Sequence, residues 1–153
     1  MSIKLKTPEQ IADMRIGGKY LAEMLLTLKN EARVGTQLLD LEKRAEELLD
    51  TYHVRPAFKG FEGFPSVICM SLNREVVHGI PHDYILKEGD LLSLDFGLVY
   101  KKLYLDAAIT FGIGAISTQA QELIDAAESS LMLGIAQAQV GKKVGSISAA
   151  VQK

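Results

Sequence analysis

Two aspartates carry the strongest chemical signal in this chain. Asp95 sits in the run Leu-Leu-Ser-Leu-Asp-Phe-Gly-Leu-Val and Asp106 in Leu-Tyr-Leu-Asp-Ala-Ala-Ile-Thr-Phe. Residues 91–99 and 103–111 alternate apolar and polar positions with a period of two, as half-buried strands do. If they form a hairpin turning around Tyr100-Lys101, Asp95 lies directly opposite Asp106. Leu92, Leu94, Phe96 and Leu98 then share one face with Leu103, Leu105, Ala107, Ile109 and Phe111, and the other face carries Ser93, Asp95 and Gly97 beside Tyr104, Asp106 and Thr110. Opposed positions hold their Cβ atoms about 4.5–5.5 Å apart. Two ionised carboxylates about 5 Å apart repel by roughly 3 kcal/mol at an effective dielectric near 20. Such a pair calls for a shared proton or a bound cation, and an oxygen-rich site for two divalent ions would use both carboxylates. The alternative is a solvent-facing hairpin whose aspartates sit in water. Against it stands the rarity of aspartate in strand interiors.

His78 ends a predicted strand just before Gly79-Ile80-Pro81, a rigid loop of the kind that positions reactive groups. The competing reading is an ordinary polar histidine, and His53 and His82 are read as surface residues. Cys69 alternates with apolar neighbours and is read as a buried packing residue. Phe58, Phe61 and Phe64 stand among Gly and Pro in Ala-Phe-Lys-Gly-Phe-Glu-Gly-Phe-Pro. They are either core residues or rings that a loop presents to a cleft.

The elements that must position these groups follow from pattern. Thr7-Pro8-Glu9-Gln10 is a capping box with proline in the first turn, and an apolar stripe from Ile11 through Met14, Tyr20, Leu21, Met24 and Leu25 to Leu28 predicts a helix to about Asn30. Val34-Gly35 breaks it, and Thr36 is expected to open a second helix with Leu38, Leu41, Ala45, Leu48 and Leu49 inside. Val67–Leu72 and Glu75–His78 are predicted strands joined by a tight turn at Asn73-Arg74. Thr118 with Gln121 opens a third helix to about Val140. Val140-Gly141 follows it as Val34-Gly35 follows the first, and at an offset of 106 residues Val144, Ile147 and Val151 fall on Leu38, Leu41 and Ala45. That suggests the start of a second copy of a helix–helix–sheet unit.

Composition narrows the class. The 153 residues hold 17 basic and 19 acidic side chains, a net charge of −2, which argues against binding nucleic acid through a general basic field. One cysteine excludes an internal disulfide framework and a cysteine-built zinc cluster. No apolar stretch of about 18 residues predicts a membrane span, and the lysine-bearing start shows no signal-peptide core. The expectation is a cytoplasmic α/β protein.

Taken together, Gly60-Phe61-Glu62-Gly63-Phe64-Pro65, Asn73, Val76-Val77-His78-Gly79-Ile80-Pro81, Leu86-Lys87-Glu88-Gly89-Asp90, Ser93-Leu94-Asp95 and Asp106-Ala107-Ala108 resemble the type I methionine aminopeptidase family, and the resemblance runs through nearly the whole chain. It implies the pita-bread fold, two pseudo-symmetric halves around a dinuclear metal site. Residues 1–140 would be the N-terminal half, an antiparallel sheet packed by helices, and 141–153 the start of a second half otherwise missing. The resemblance makes Asp95 and Asp106 metal ligands for two divalent ions (Co, Mn, Fe or Zn), with Asp106 bridging. It makes His78 a catalytic, substrate-contacting residue near the scissile amide, and puts Phe58, Phe61, Phe64 and Cys69 around the methionine side chain. The implied reaction is removal of the initiator methionine from nascent chains, with the ribosome a further expected partner. The family's other ligands, a histidine and two glutamates, belong to the second half. The chain alone is therefore expected to be nearly inactive and to self-associate through its exposed half-domain face. Two departures stand out: Lys101-Lys102 where the family usually has Asp-Gly, with strain expected at Lys102, and Leu105 for the small residue before the second aspartate. The alternative function is a non-catalytic half-domain that binds peptide, the ribosome or a separately encoded second half.

Overall fold

Thr7 caps the first helix as its sequence requires. Its hydroxyl accepts from the Gln10 N–H while the Gln10 side chain accepts from the Thr7 N–H, and α1 runs over Pro8–Glu31. The structure, a computed structural model, describes residues 4–152, so the first three residues of the lysine-bearing start and Lys153 lie outside the described residues. The buried side of α1 is Gly17, Leu21, Met24, Leu25 and Leu28, whereas Ile11, at the start of the predicted stripe, faces solvent. Gly17 is needed for close approach: a Cβ there would lie 2.8 Å from Leu105 Cδ1 and 3.0 Å from Tyr100 Cβ. The second helix, α2, spans Leu38–Thr51 and buries the five expected residues. Its cap is Gln37 rather than Thr36, whose hydroxyl is engaged by the Glu31 carbonyl and the Arg33 N–H.

Four antiparallel strands follow: β1 (Arg55–Pro56), β2 (Ile68–Leu72), β3 (Leu91–Tyr100) and β4 (Leu103–Gly112). β3 is central. It pairs along its length with β4, and its other edge takes β2 at residues 92–96 and β1 at residues 98–99. Leu92, Leu94, Phe96 and Leu98 are fully buried and meet Met24, Leu28, Leu38 and Leu41 in one core. Burying a side chain of this size contributes about 1.5–3 kcal/mol, so this layer fixes which face of β3 is left for chemistry.

The structure also corrects the sequence reading around the sheet. Glu75–His78 is not a strand. The Glu75 N–H returns to the Leu72 carbonyl in a tight turn, and Asn73 and His78 adopt left-handed φ of +55° and +56°, which breaks extended pairing. The hairpin also turns one residue later than expected, at Lys101-Lys102, with φ of +46° and +69°. Two central residues with positive φ make the turn whose twist matches the strands. The shift moves the register by two residues and so keeps every side chain on its expected face.

The chain divides after Ala115 into two compact units. In the second, Ser117 rather than Thr118 caps α3 (Thr118–Gln137), and α4 spans Val144–Gln152. The repeat seen in the sequence has structural landmarks. Helix ends at Glu31 and Gln137, left-handed glycines at 35 and 141, and helix starts at Leu38 and Val144 are each separated by 106 residues.

A left-handed lysine costs about 1–2 kcal/mol relative to a relaxed backbone. Lys102→Gly is therefore expected to stabilise the protein by about 1 kcal/mol in urea unfolding, partly offset by the greater freedom of glycine when unfolded. No gain, or a loss, would contradict the turn described here.

Candidate metal centre and its cleft

Because β3 and β4 are shifted by two residues, Asp95 lies opposite Ala108, and Asp106 lies opposite Gly97. The two aspartates are thus diagonal neighbours on one face instead of a directly opposed pair. Diagonal Cα atoms are about 7–8 Å apart, and side chains can still reach across. The carboxylates do meet. Burial first, then the charge of Asp106 and a hydrogen-bonding contact with it, pushes the Asp95 carboxyl up to about 6, while His78 acts in the opposite sense. Next to them, Ser93 and Thr110 join hydroxyls at 2.8 Å. This polar face is continuous along the hairpin, as alternation requires.

Both aspartates line an open cleft of about 650 Å³, together with His78, Phe58, Phe61, Phe64 and Cys69. All seven residues singled out from the sequence therefore meet in one place. Cys69 is paired directly with Asp95 across β2 and β3. It is buried, and burial followed by the charges of Asp95 and Asp106 pushes its thiol up to about 11, so it stays protonated and acts as wall rather than nucleophile. Phe58 is seated by Gly97, where a Cβ would lie 2.5 Å from the ring, and the neighbouring Ala57 N–H donates to the Gly97 carbonyl. Phe58 and Phe64 are half-buried, and Phe61 stands 70% exposed at the rim. Leu105 does not crowd the carboxylates with its side chain, which packs on the core side over Gly17 and Gly18.

Sequence reasoning passed over Glu62, Ile80 and Tyr104 as cleft residues. Tyr104 was detectable, because it shares the Asp106 face by alternation. Glu62 was not: its place depends on a left-handed φ of +47° in the Phe61–Gly63 turn.

Residues 12–153 match the profile of metallopeptidase family M24. The chain belongs to this family. A methionine aminopeptidase of Helicobacter pylori is 46% identical over 141 residues, covering 92% of this chain and 56% of the relative. The crystal structure of a methionine aminopeptidase from Thermotoga maritima superposes with a TM-score of 0.94 at 36% identity, over 99% of this chain and 61% of that one. Aminopeptidase P of Escherichia coli, at 19% identity and a TM-score of 0.82, shares the fold, with 95% of this chain covering 32% of that one. The fold is the pita-bread fold, and this M24 chain spans about three-fifths of the length of its methionine aminopeptidase relatives.

M24 membership implies a metal, and the residues here can be tested against one. Two neighbouring carboxylates in one cleft, with Asp95 holding its proton more tightly through burial and the charge of Asp106, form an oxygen-donor pair suited to a hard or borderline divalent cation. In number they fall short of a full shell, since among the described residues no group of three His, Cys, Asp or Glu side chains converges. The fit is that of the acidic side of a metal site.

The raised Asp95 carboxyl has a sign that can be checked in metal-free protein. The folded state holds this proton more tightly than the unfolded chain between about pH 4 and 6, so stability falls as pH rises through that window. In EDTA, the loss from pH 4 to 7 attributable to this carboxyl is expected to be of the order of 1–2 kcal/mol, and Asp106→Asn should remove the part that comes from the Asp106 charge and leave the part that comes from burial. A variant with an unchanged pH profile would mean that the carboxylates do not meet.

Proposed function

We propose that this chain carries the acidic metal-binding side and the methionine pocket of a methionyl aminopeptidase. The observation that supports this reading most directly is the junction, in one cleft, of the Asp95–Asp106 pair with an apolar wall of Phe58, Phe64 and Cys69. A cleft that is apolar on one side and anionic on the other suits a peptide end with an unbranched apolar first side chain.

Each residue then has a task. Asp95 and Asp106 would hold two divalent ions, which when bound supply Lewis acidity at the scissile carbonyl and an activated water. His78, exposed at the cleft and close enough to influence Asp95, contacts the scissile amide. Phe58 and Phe64 exclude water from the methionine side chain, and Phe61 closes the rim. Protonated Cys69 keeps that wall uncharged. The substrates are N-termini of nascent proteins whose second residue is small, and the setting is the cytoplasm beside the ribosome. Further donors come from the part of the family fold that corresponds to the remaining length of the relatives, with residues 141–153 beginning that second half.

A second reading is favoured by one observation, the lack of a third converging donor among the described residues. On that reading the chain is a half-domain that binds peptide, the ribosome or a second half without catalysis. The exposed apolar residues Leu131, Met132 and Leu133 on α3 suit self-association of such a half-domain.

Release of free methionine from Met-Ala-Ser separates the two. With two carboxylate donors the 153-residue chain is expected to release methionine slowly, in a manner that rises with millimolar Mn²⁺ and is abolished in Asp106→Ala. Release that survives that substitution, or that needs no divalent ion, contradicts the metallopeptidase reading. Peptide binding without release at saturating Mn²⁺ supports the second.

A further inference from the structure

His78 is held at the cleft by its backbone alone, because among the described residues no hydrogen bond fixes its imidazole. Its φ of +56° is one that a histidine leaves readily once the chain around it is free to move. It lies in the irregular stretch of 18 residues, 73–90, that joins β2 to β3. What fastens that stretch is therefore what places the ring.

The fastening is built around a buried carboxylate that the proposed chemistry does not use. Asp90 is 8% exposed and accepts from the Asn73 side-chain amide at 3.0 Å, the Lys87 N–H at 2.8 Å and the Tyr84 hydroxyl at 3.1 Å. Burial pushes its carboxyl upward, but these donors overcome that and hold it below the usual range, so it is ionised at neutral pH. Asn73 in turn closes both ends of the stretch. Its N–H donates to the Leu91 carbonyl at 2.8 Å and its side-chain oxygen accepts from the Leu91 N–H at 2.9 Å. Asn73 itself sits at φ +55°, a conformation asparagine tolerates better than most residues. On the His78 side the chain is pinned to β2, where the Met70 N–H donates to the Gly79 carbonyl at 2.8 Å and the Gly79 N–H donates to the Ser71 hydroxyl at 3.2 Å. A Cβ on residue 79 would overlap the Met70 carbonyl oxygen, so this seat admits only glycine.

We propose that Asp90, acting through Asn73, is a positioning residue that closes the base of the 73–90 stretch and thereby holds His78 in the cleft. The proposal rests on the peptidase reading for what His78 does there. It does not rest on that reading for where His78 stands. Asp90 touches neither Asp95 nor Asp106 among its hydrogen-bond partners; it holds Asn73 on one side of His78 and Tyr84 and Lys87 on the other.

Asp90→Asn keeps the shape but turns an N–H group toward a donor, and Tyr84→Phe removes a single hydrogen bond and is the milder variant. Amide exchange at Met70 and Gly79 reads the seat directly, and the core amides of Leu94 and Phe96 serve as the internal reference. The expected result is exchange at Met70 and Gly79 at least tenfold faster in Asp90→Asn, and at least threefold faster in Tyr84→Phe, with the reference amides unchanged. The His78 ring resonance should shift while that of His53 stays. Unchanged exchange at Gly79, or exchange accelerated equally in the core, would overturn the proposal. If Asp90→Asn does not fold, Tyr84→Phe decides alone. Binding of Met-Ala-Ser to His78→Ala tests the peptidase reading separately: undiminished affinity would count against that reading and leave the exchange result to judge Asp90.

Discussion

The like-charge contact between Asp95 and Asp106 is the constraint around which the rest of this chain is organised. Ionised together, the two groups repel, and burial together with the charge of Asp106 raises the Asp95 carboxyl to about 6. A fold tolerates such a contact only when something else holds the strands in register, because the contact itself pushes them apart. Here the apolar face of the same two strands does so. Fully buried Leu92, Leu94, Phe96 and Leu98 lie on one side of β3, and α1 packs so closely over the hairpin that Gly17 has no room for a side chain. The energy that stabilises this layer is hydrophobic, and it keeps two carboxylates together whether or not a cation is bound.

The same logic shapes the rest of the cleft. Gly97 sits opposite Asp106 and admits the Phe58 ring, so an apolar surface is brought against the acidic pair without a void. Cys69 faces Asp95 across β2 and β3 and remains a neutral thiol because burial and both aspartates disfavour its charge. The cleft thus has one anionic side and one dry side, and the division follows from strand alternation. Residues of the 73–90 stretch complete it from above, fastened by the hydrogen bonds of Asp90 and Asn73.

Much of this could be read from the sequence because the relevant signals are local. The Thr7–Gln10 capping box, the five inner residues of α2 and the period-two faces of β3 and β4 each follow from neighbours within a few positions. The spacing of 106 residues between the two helix–glycine–helix segments also survived into the structure. The register did not. Turning around Tyr100-Lys101 or around Lys101-Lys102 leaves the same side chains on the same faces, so hydrophobic pattern cannot choose between them. The choice rests on whether two lysines adopt positive φ, which propensity disfavours and the strand twist requires. Glu75–His78 misled for a related reason: its β-branched residues suggest a strand, but left-handed Asn73 and His78 and the seat on Ser71 fix an irregular path. Asp90 entered the sequence reading only as the end of the Leu86-Lys87-Glu88-Gly89-Asp90 motif, and its bond to Asn73 could not be read there because folding alone brings the two together.

On the reading proposed above, Asp95 and Asp106 jointly grip a cation. Titration of the chain with Mn²⁺ at neutral pH, followed by the loss of the free-ion electron paramagnetic resonance signal, tests it without any substrate. The expected result is saturable binding that weakens at least tenfold in Asp95→Asn and in Asp106→Asn alike. Equal affinity in the parent chain and both variants, or loss of binding in only one of them, would contradict it.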